Sequence, residues 1–360
     1  MSGQRFTLGK NVGYLTGPIV CRKGLSVAVT IGSLALSLLM ITVATSDAAE
    51  DAKGIYLPGF LASMSGAMPP PGTYVTSYKY FYSGSASGAA ADSVALNQLG
   101  NITLQADMGL DAKLFAEIPV VLWVAPRKIL NGNFGLGGYV PIGWQDISVD
   151  VDALTTLTTR NGRTFQRGAS FSLGEESTEI GDPALMTMLG WHSGNWHWNM
   201  TGLLNVPVGQ YDKNDIANMG VNRWAFDATG AATWMDPQRG HEVSVAAGFT
   251  FNGENPDTNY RTGTEFHAEF AIMQHVSEAF AFGLAGYHYQ QVTGDSGAGA
   301  TLGAFKGRVT ALGPNVVYNL KLGATPVATQ LRWYHEFNVK NRVEGDAVLF
   351  SATIALGGKQ

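Results

Sequence analysis

The chain has 360 residues, 45% of them hydrophobic and only 14% charged, with a formal net charge of −5 and a mean hydropathy of +0.03. That hydropathy excludes a bundle of membrane helices, the acidic balance makes nucleic acid a poor partner, and a single cysteine, Cys21, excludes a disulfide framework. Forty-five glycines and 11% aromatics suit a β protein rich in turns and aromatic belts.

Residues 1–48 stand apart from the rest. Arg5, Lys10, Arg22 and Lys23 give a basic lead, Leu25 to Thr45 is nearly all apolar or small, and Ser46-Asp47-Ala48 supplies small residues before a cleavage point. This is the pattern of a secretory signal peptide cut near Ala48. The apolar run, about 20 residues, is also long enough for an uncleaved anchor. Cys21 falls in this segment, so the exported chain has no thiol chemistry. Residues 49–71 carry Leu57-Pro58-Gly59 and Met68-Pro69-Pro70-Pro71, too much Pro and Gly for a strand. They read either as a leader or as a plug folded into the space the later strands enclose.

From Thr73 the pattern has a period of two. Thr73–Tyr82, Ser93–Met108 and Ala112–Val124 read as strands, with a short turn at Gly109–Asp111 and with Leu114, Ile118, Val120 and Leu122 outward. Residues 126–182 break the rhythm, with a Gly-rich part (132–143) and a Thr-rich part (154–159) that suits a short helix. They read as one long loop. Regularity then returns in Ala184–Trp191, Trp196–Gly209, Asn222–Met235, His241–Gly253, Thr264–His275, Phe280–Val292, Ala304–Leu320, Thr325–Val339 and Glu344–Leu356. Trp196–Gly209 is the clearest: Trp196, Trp198, Met200, Leu204, Val206 and Val208 share one face, and His197, Asn199, Thr201 and Asn205 lie on the other. These strands number about twelve, and the links between them alternate short and long. The expected fold is an all-β, closed antiparallel transmembrane β-barrel of the bacterial outer membrane, with short periplasmic turns and longer external loops.

Alternation then assigns the interior. Lys79, Asp107, Lys113, Glu117, Arg223, Asp227, Glu242, His267, Glu269, Lys306, Arg308, Arg332 and Glu336 are expected to point inward, with Tyr287, Tyr289 and Tyr334 offering aromatic faces. Such a lining either sets the width and field of a solute path or stiffens a closed barrel. Gly313-Pro314 is the expected bulge. No catalytic, metal or cofactor site is expected. Gly294-Asp295-Ser296-Gly297 is explained as a turn, His241-Glu242 lacks a second His four residues on, and the seven histidines have no ligand spacing.

Val206-Pro207-Val208-Gly209-Gln210-Tyr211-Asp212 is followed by Met219-Gly220-Val221-Asn222-Arg223-Trp224. Thr258 to Gly263, Gln290 to Asp295 and Leu312-Gly313-Pro314-Asn315 come later in the same order. On these motifs the chain resembles the outer-membrane family associated with the meta-cleavage pathway of phenol degradation. The motif positions are Pro207, Gly209, Tyr211, Asp212, Gly220, Asn222, Trp224, Gly263, Asp295, Gly313 and Pro314. The resemblance implies a non-enzymatic outer-membrane barrel, a passive channel for small hydrophobic or aromatic compounds. Its implied partners are outer-membrane lipid and lipopolysaccharide, the solute, and the periplasmic and outer-membrane assembly machinery. The alternative is a closed structural or adhesive barrel working through its external loops. The chain departs from many outer-membrane barrels by ending Leu356-Gly-Gly-Lys-Gln360 rather than on an aromatic residue.

Overall fold

The fold is taken from a computed structural model that describes residues 54–96, 100–301 and 303–356. The signal-peptide reading of residues 1–48 and the last four residues lie outside the described residues. The elements are β1 (Gly72–Leu96), β2 (Gly100–Ile129), β3 (Gly132–Tyr139), β4 (Ile142–Thr159), β5 (Thr164–Ile180), β6 (Ala184–Ser193) and β7 (Trp196–Asn205). They continue as β8 (Ala225–Asp236), β9 (His241–Asn252), β10 (Glu265–His275), β11 (Phe280–Gln291), β12 (Arg308–Leu322), β13 (Thr325–Lys340) and β14 (Glu344–Leu356). All pairings are antiparallel. Twelve strands close the barrel in the order β1, β2, β3, then β6 through β14, and β14 returns to β1 from Thr73↔Leu356 to Ser85↔Glu344.

The strand number matches the sequence expectation, but the membership differs. Gly109–Asp111 is no turn: Gly109 pairs with Ser87 on one side and Asp150 on the other, inside the unbroken β2. Gly and Asp signal a turn only where no partner strand holds them. The missing strand is β3, in the Gly-rich stretch. A Cβ at Gly137 would stand 2.2 Å from the Val121 carbonyl oxygen, so glycine there permits a close strand approach and hides the alternating pattern.

Residues 126–182 are therefore not one loop. They complete β2, form β3, and return through a β4–β5 hairpin. The first half of β2 pairs with β4 from Gly100↔Thr159 to Glu117↔Ile142, and β4 pairs with β5. The Thr-rich 154–159 part is strand, as its β-branched residues favour, and not helix. Beyond Ser85, β1 keeps only β2 as a neighbour. A four-stranded sheet of β1, β2, β4 and β5 thus branches from the barrel wall.

Side-chain parity follows lipid and lumen. On β9 every second residue is buried, Glu242, Ser244, Ala246, Thr250 and Asn252 among them, while Val243, Val245, Phe249 and Phe251 are exposed. An outward apolar face with a polar interior is what a barrel in a bilayer requires. Trp196 and Trp198 stand outward at the short-turn end and Trp224 at the other, where an interfacial belt belongs.

Candidate functional site

The barrel interior is occupied by the chain's own residues 54–71. Tyr56 stacks on His267, with ring centroids 3.5 Å apart, and its hydroxyl donates to Glu269 Oε1 at 2.7 Å. The backbone N–H groups of Gly59 and Leu61 also donate to Glu269, at 2.9 and 2.6 Å. From the facing wall Arg332 donates to the carbonyls of Gly59 and Phe60, at 2.7 and 2.6 Å, and Tyr334 donates to Gly59 at 3.3 Å. Further along, Glu242 accepts from the Ser63 hydroxyl and the Met64 N–H, at 2.8 and 2.6 Å. Gly66 N–H donates to Thr233, and Asn199 donates to the Ser65 carbonyl. A Pro/Gly-rich segment cannot satisfy its backbone by regular structure, so it borrows donors and acceptors from the wall.

The two sides of the interior differ. Toward β8–β10 the wall is ionic and polar. Asp227 accepts from Thr229 and Thr250 and lies 2.9 Å from His267, all fully buried. Toward β11–β14, β1 and β2 it is aromatic and aliphatic. Tyr80, Ile118, Tyr287, Tyr289, Tyr334 and Leu349 pack together, with Leu57 and Phe60 of the inner segment against them. Glu336 accepts the hydroxyls of Tyr82 and Tyr287, each at 2.7 Å.

Asp227, Glu242, His267, Glu269, Arg332, Tyr334 and Glu336 thus sit where alternation assigns them, on the inner face. Arg223 is buried too, but before β8 begins, at the loop end, where its Nε donates to Asn252. The other assignments are corrected. Lys79 and Glu117 pair with each other on the outer face, beside Phe81 and Phe115, because Tyr78, Tyr80 and Ile118 take the inner positions. Leu114, Ile118 and Val120 consequently face inward, and Val121 and Trp123 outward. Lys113 shares the outer face of Glu117 and stands 3.8 Å from Asp146. Asp107 lies exposed on the branching sheet opposite Asp152, beyond the closed wall. Lys306 is in the β11–β12 loop, donating to the Val292 carbonyl. Arg308 shares the outward face of Thr310 and Leu312 on β12. The irregularity of β12 falls between Arg308 and Thr310, opposite the left-handed Asn338, and not at Gly313-Pro314, which pair regularly with Ala285 and Leu284.

Sequence reasoning missed Tyr78, Tyr80 and Tyr82, although tyrosine at every second position of β1 was the available signal. It also missed Glu265, which has the parity of His267 and Glu269 and accepts from Tyr289. Arg342, over the Tyr289 ring at 4.2 Å, reaches in from the last loop and left no pattern to read.

A family described as "Putative MetA-pathway of phenol degradation" matches residues 85–352. The chain belongs to this family. Among solved structures it is similar to an outer membrane channel from Pseudomonas putida F1, with a TM-score of 0.56 and 15% identity over 84% of this chain and 100% of that one. A Pseudomonas aeruginosa FadL homologue aligns with a TM-score of 0.37 and 11% identity over 82% of this chain and 93% of that one. The first likeness bears on the fold alone. No curated protein matches.

In this member of the phenol-degradation family most of the motif positions meet in the long loops. Pro207 lies near the start of the β7–β8 loop. Gly209 N–H donates to Asp182 at 2.7 Å, and Gly220 N–H to Gln210. Asp212 caps Asn214, Tyr211 accepts from Asn255, and Asn222 donates to Asn255 and Asp257. Trp224 stays exposed at the rim. Asp295 accepts from the Gly263 N–H and the Tyr260 hydroxyl, joining the β9–β10 and β11–β12 loops. Burial pushes the Asp295 carboxyl above its ordinary range despite those donors. Gly313 lies in the wall: a Cβ there would stand 1.7 Å from the Trp333 carbonyl oxygen.

Proposed function

We propose that the protein is an outer-membrane channel for small hydrophobic compounds, aromatic ones among them, with residues 54–71 as its constriction. One observation carries this reading. The inner segment is held to the wall by hydrogen bonds to Glu242, Glu269 and Arg332, and by aromatic packing against a tyrosine-rich surface, with no covalent tie besides the chain itself at Gly72. Such contacts exchange with solute: burying apolar solute surface yields about 25 cal/mol per Å², and tyrosines supply flat apolar faces with a polar edge. Family membership supports a link to aromatic catabolism. The apolar outer face supports a bilayer location, and export through a cleaved leader completes the route to the outer membrane.

The test is uptake of a small aromatic solute into liposomes carrying the purified protein, intact and with residues 54–66 removed. Uptake by the intact protein that rises in the truncated form supports the channel. No uptake in either form would sink it, and would favour a closed barrel acting through the branching β1–β2–β4–β5 sheet.

A further inference from the structure

The β6–β7 hairpin turns on Gly194 (φ 56) and Asn195, pairing Ser193 with Trp196 and then His192 with His197. In a two-residue hairpin the pair beside the turn exchanges backbone hydrogen bonds. The next pair is then of the non-hydrogen-bonded kind, whose side chains stand closest. Accordingly the His192 and His197 rings face each other, with centroids 6.1 Å apart and planes 30° apart. Both have the parity of the inner face. Gly190 and Asn199, two residues further in, meet Met68 and Ser65 of the inner segment. The two rings therefore stand at the short-turn mouth of the barrel, His192 exposed and His197 half-buried.

Four other histidines are tied to a partner: His267 to Asp227, His275 to Glu242, His288 to Thr310 and His335 to Asp346. Neither His192 nor His197 forms a hydrogen bond or ion pair among the described residues. Each neutral imidazole holds a nitrogen lone pair that can coordinate a metal. With no carboxylate beside them among the described residues, the pair suits a borderline transition metal and not Ca²⁺ or Mg²⁺. Helical ligand spacing does not reveal the pair, because the two are five residues apart and only the hairpin register joins them.

We propose that His192 and His197 form a two-imidazole site for a divalent transition-metal ion of the Zn²⁺ and Cu²⁺ class. No group of three or more His, Cys, Asp or Glu side chains among the described residues could close a site, so water completes the coordination and the ion stays exchangeable.

Untagged full-length protein in detergent, stripped with chelator, is titrated with Cu²⁺ and followed by electron paramagnetic resonance, and with Zn²⁺ by calorimetry. The expected result is one ion per chain with the splitting of two imidazole nitrogens. Binding weakens in acid, where protons compete with the metal for ligand lone pairs. His192→Gln and His197→Gln each reduce the pattern to one nitrogen and weaken binding by about tenfold or more. His241→Gln, at the start of β9, changes neither. A two-nitrogen signal that survives both replacements, or wild-type binding no tighter than that of the double variant, overturns the proposal. Should the variants fail to fold, histidine acylation of the wild type with and without Zn²⁺ decides: selective protection of His192 and His197 supports the site, and equal labelling refutes it.

Discussion

Glu269 and Arg332 hold the two backbone polar groups of one residue: Glu269 accepts the Gly59 N–H and Arg332 donates to the Gly59 carbonyl. The two residues belong to β10 and β13, so the grip spans the barrel interior. Gly59 is suited to it by φ of 91° and by the Tyr334 ring, which a Cβ would approach to 2.7 Å. Glu269→Gln weakens hydrogen bonds to a charged acceptor, each a contribution of about 1.5–3 kcal/mol. Gly59→Ala adds roughly 1–2 kcal/mol of left-handed backbone cost, besides the contact with Tyr334. Both variants are expected to leave the barrel folded and loosen the inner segment. Limited proteolysis should then cut within residues 54–71, and ion conductance in planar bilayers should rise. Unchanged proteolysis and conductance in both variants would mean that the segment is held elsewhere.

The outward Lys79–Glu117 pair makes a sharper test of which face meets lipid. A lone Lys on the lipid face of a barrel costs about 2–4 kcal/mol near the midplane, and a lone Glu less. Glu117→Met alone therefore strands Lys79 and is expected to destabilise by that order, and Lys79→Met, which leaves Glu117 with the Ser77 hydroxyl, by less. Replacing both with Met removes the stranded charge, and such double replacements are commonly neutral or stabilising. Urea unfolding from lipid vesicles should place the double variant at or above wild type and both single variants below it. Three variants of equal stability would return the pair to a wet interior.

These two cases mark where the sequence was legible. On β9 and β13 one face is largely polar and the other largely apolar, so parity alone identifies Glu242, Arg332 and Glu336. On β2 both faces are apolar: Leu114, Ile118 and Val120 inward, Phe115, Val121 and Trp123 outward. Charge then reads as the sign of the interior. Here the interior was already lined by tyrosines and packed by the inner segment, and the paired charges went outside. The loop-end residues were legible as motif but not as geometry, because Asp182, which accepts the N–H groups of Gly209 and Val221, gathers them from a distance in the chain.

Asp295 offers a pH test in those loops, outside the strands. Its carboxyl lies above the ordinary range because it is buried. A carboxyl with a raised folded-state value stabilises most below its unfolded value, and that contribution is lost as pH rises through the folded one. The Gly263 and Tyr260 region should therefore be better protected near pH 4 than near pH 7, the reverse of an ordinary ion-paired carboxylate. Hydrogen-exchange protection factors over residues 258–264, corrected for intrinsic rates, measure this. Asp295→Asn is uncharged throughout and should flatten the dependence. A dependence that persists in the Asn variant assigns it to another group.

The branching sheet separates wall from appendage. Barrel closure runs through β2–β3 and β3–β6, from Val120↔Tyr139 to Asn133↔Gly190, and uses no β4 or β5 pairing. The hairpin can therefore be shortened where Gly143 already faces Glu179, by replacing residues 145–177 with an Asn-Gly turn. That variant is expected to fold and keep its heat-modifiable mobility. It loses edge-sheet pairing and the Glu175 and Ser177 hydrogen bonds to Ile216 and Ala217 of the β7–β8 loop, while the β2 residues from Gly100 onward keep β1. A wider deletion of residues 126–182 takes β3 with it, leaving β2 and β6 without the strand that joins them. Exposed strand edges in a bilayer leave backbone groups unsatisfied at several kcal/mol each, so this second variant should aggregate. If the short deletion fails while the inner segment and Lys79–Glu117 variants fold, the β4–β5 hairpin is part of the wall's assembly and not an addition to it.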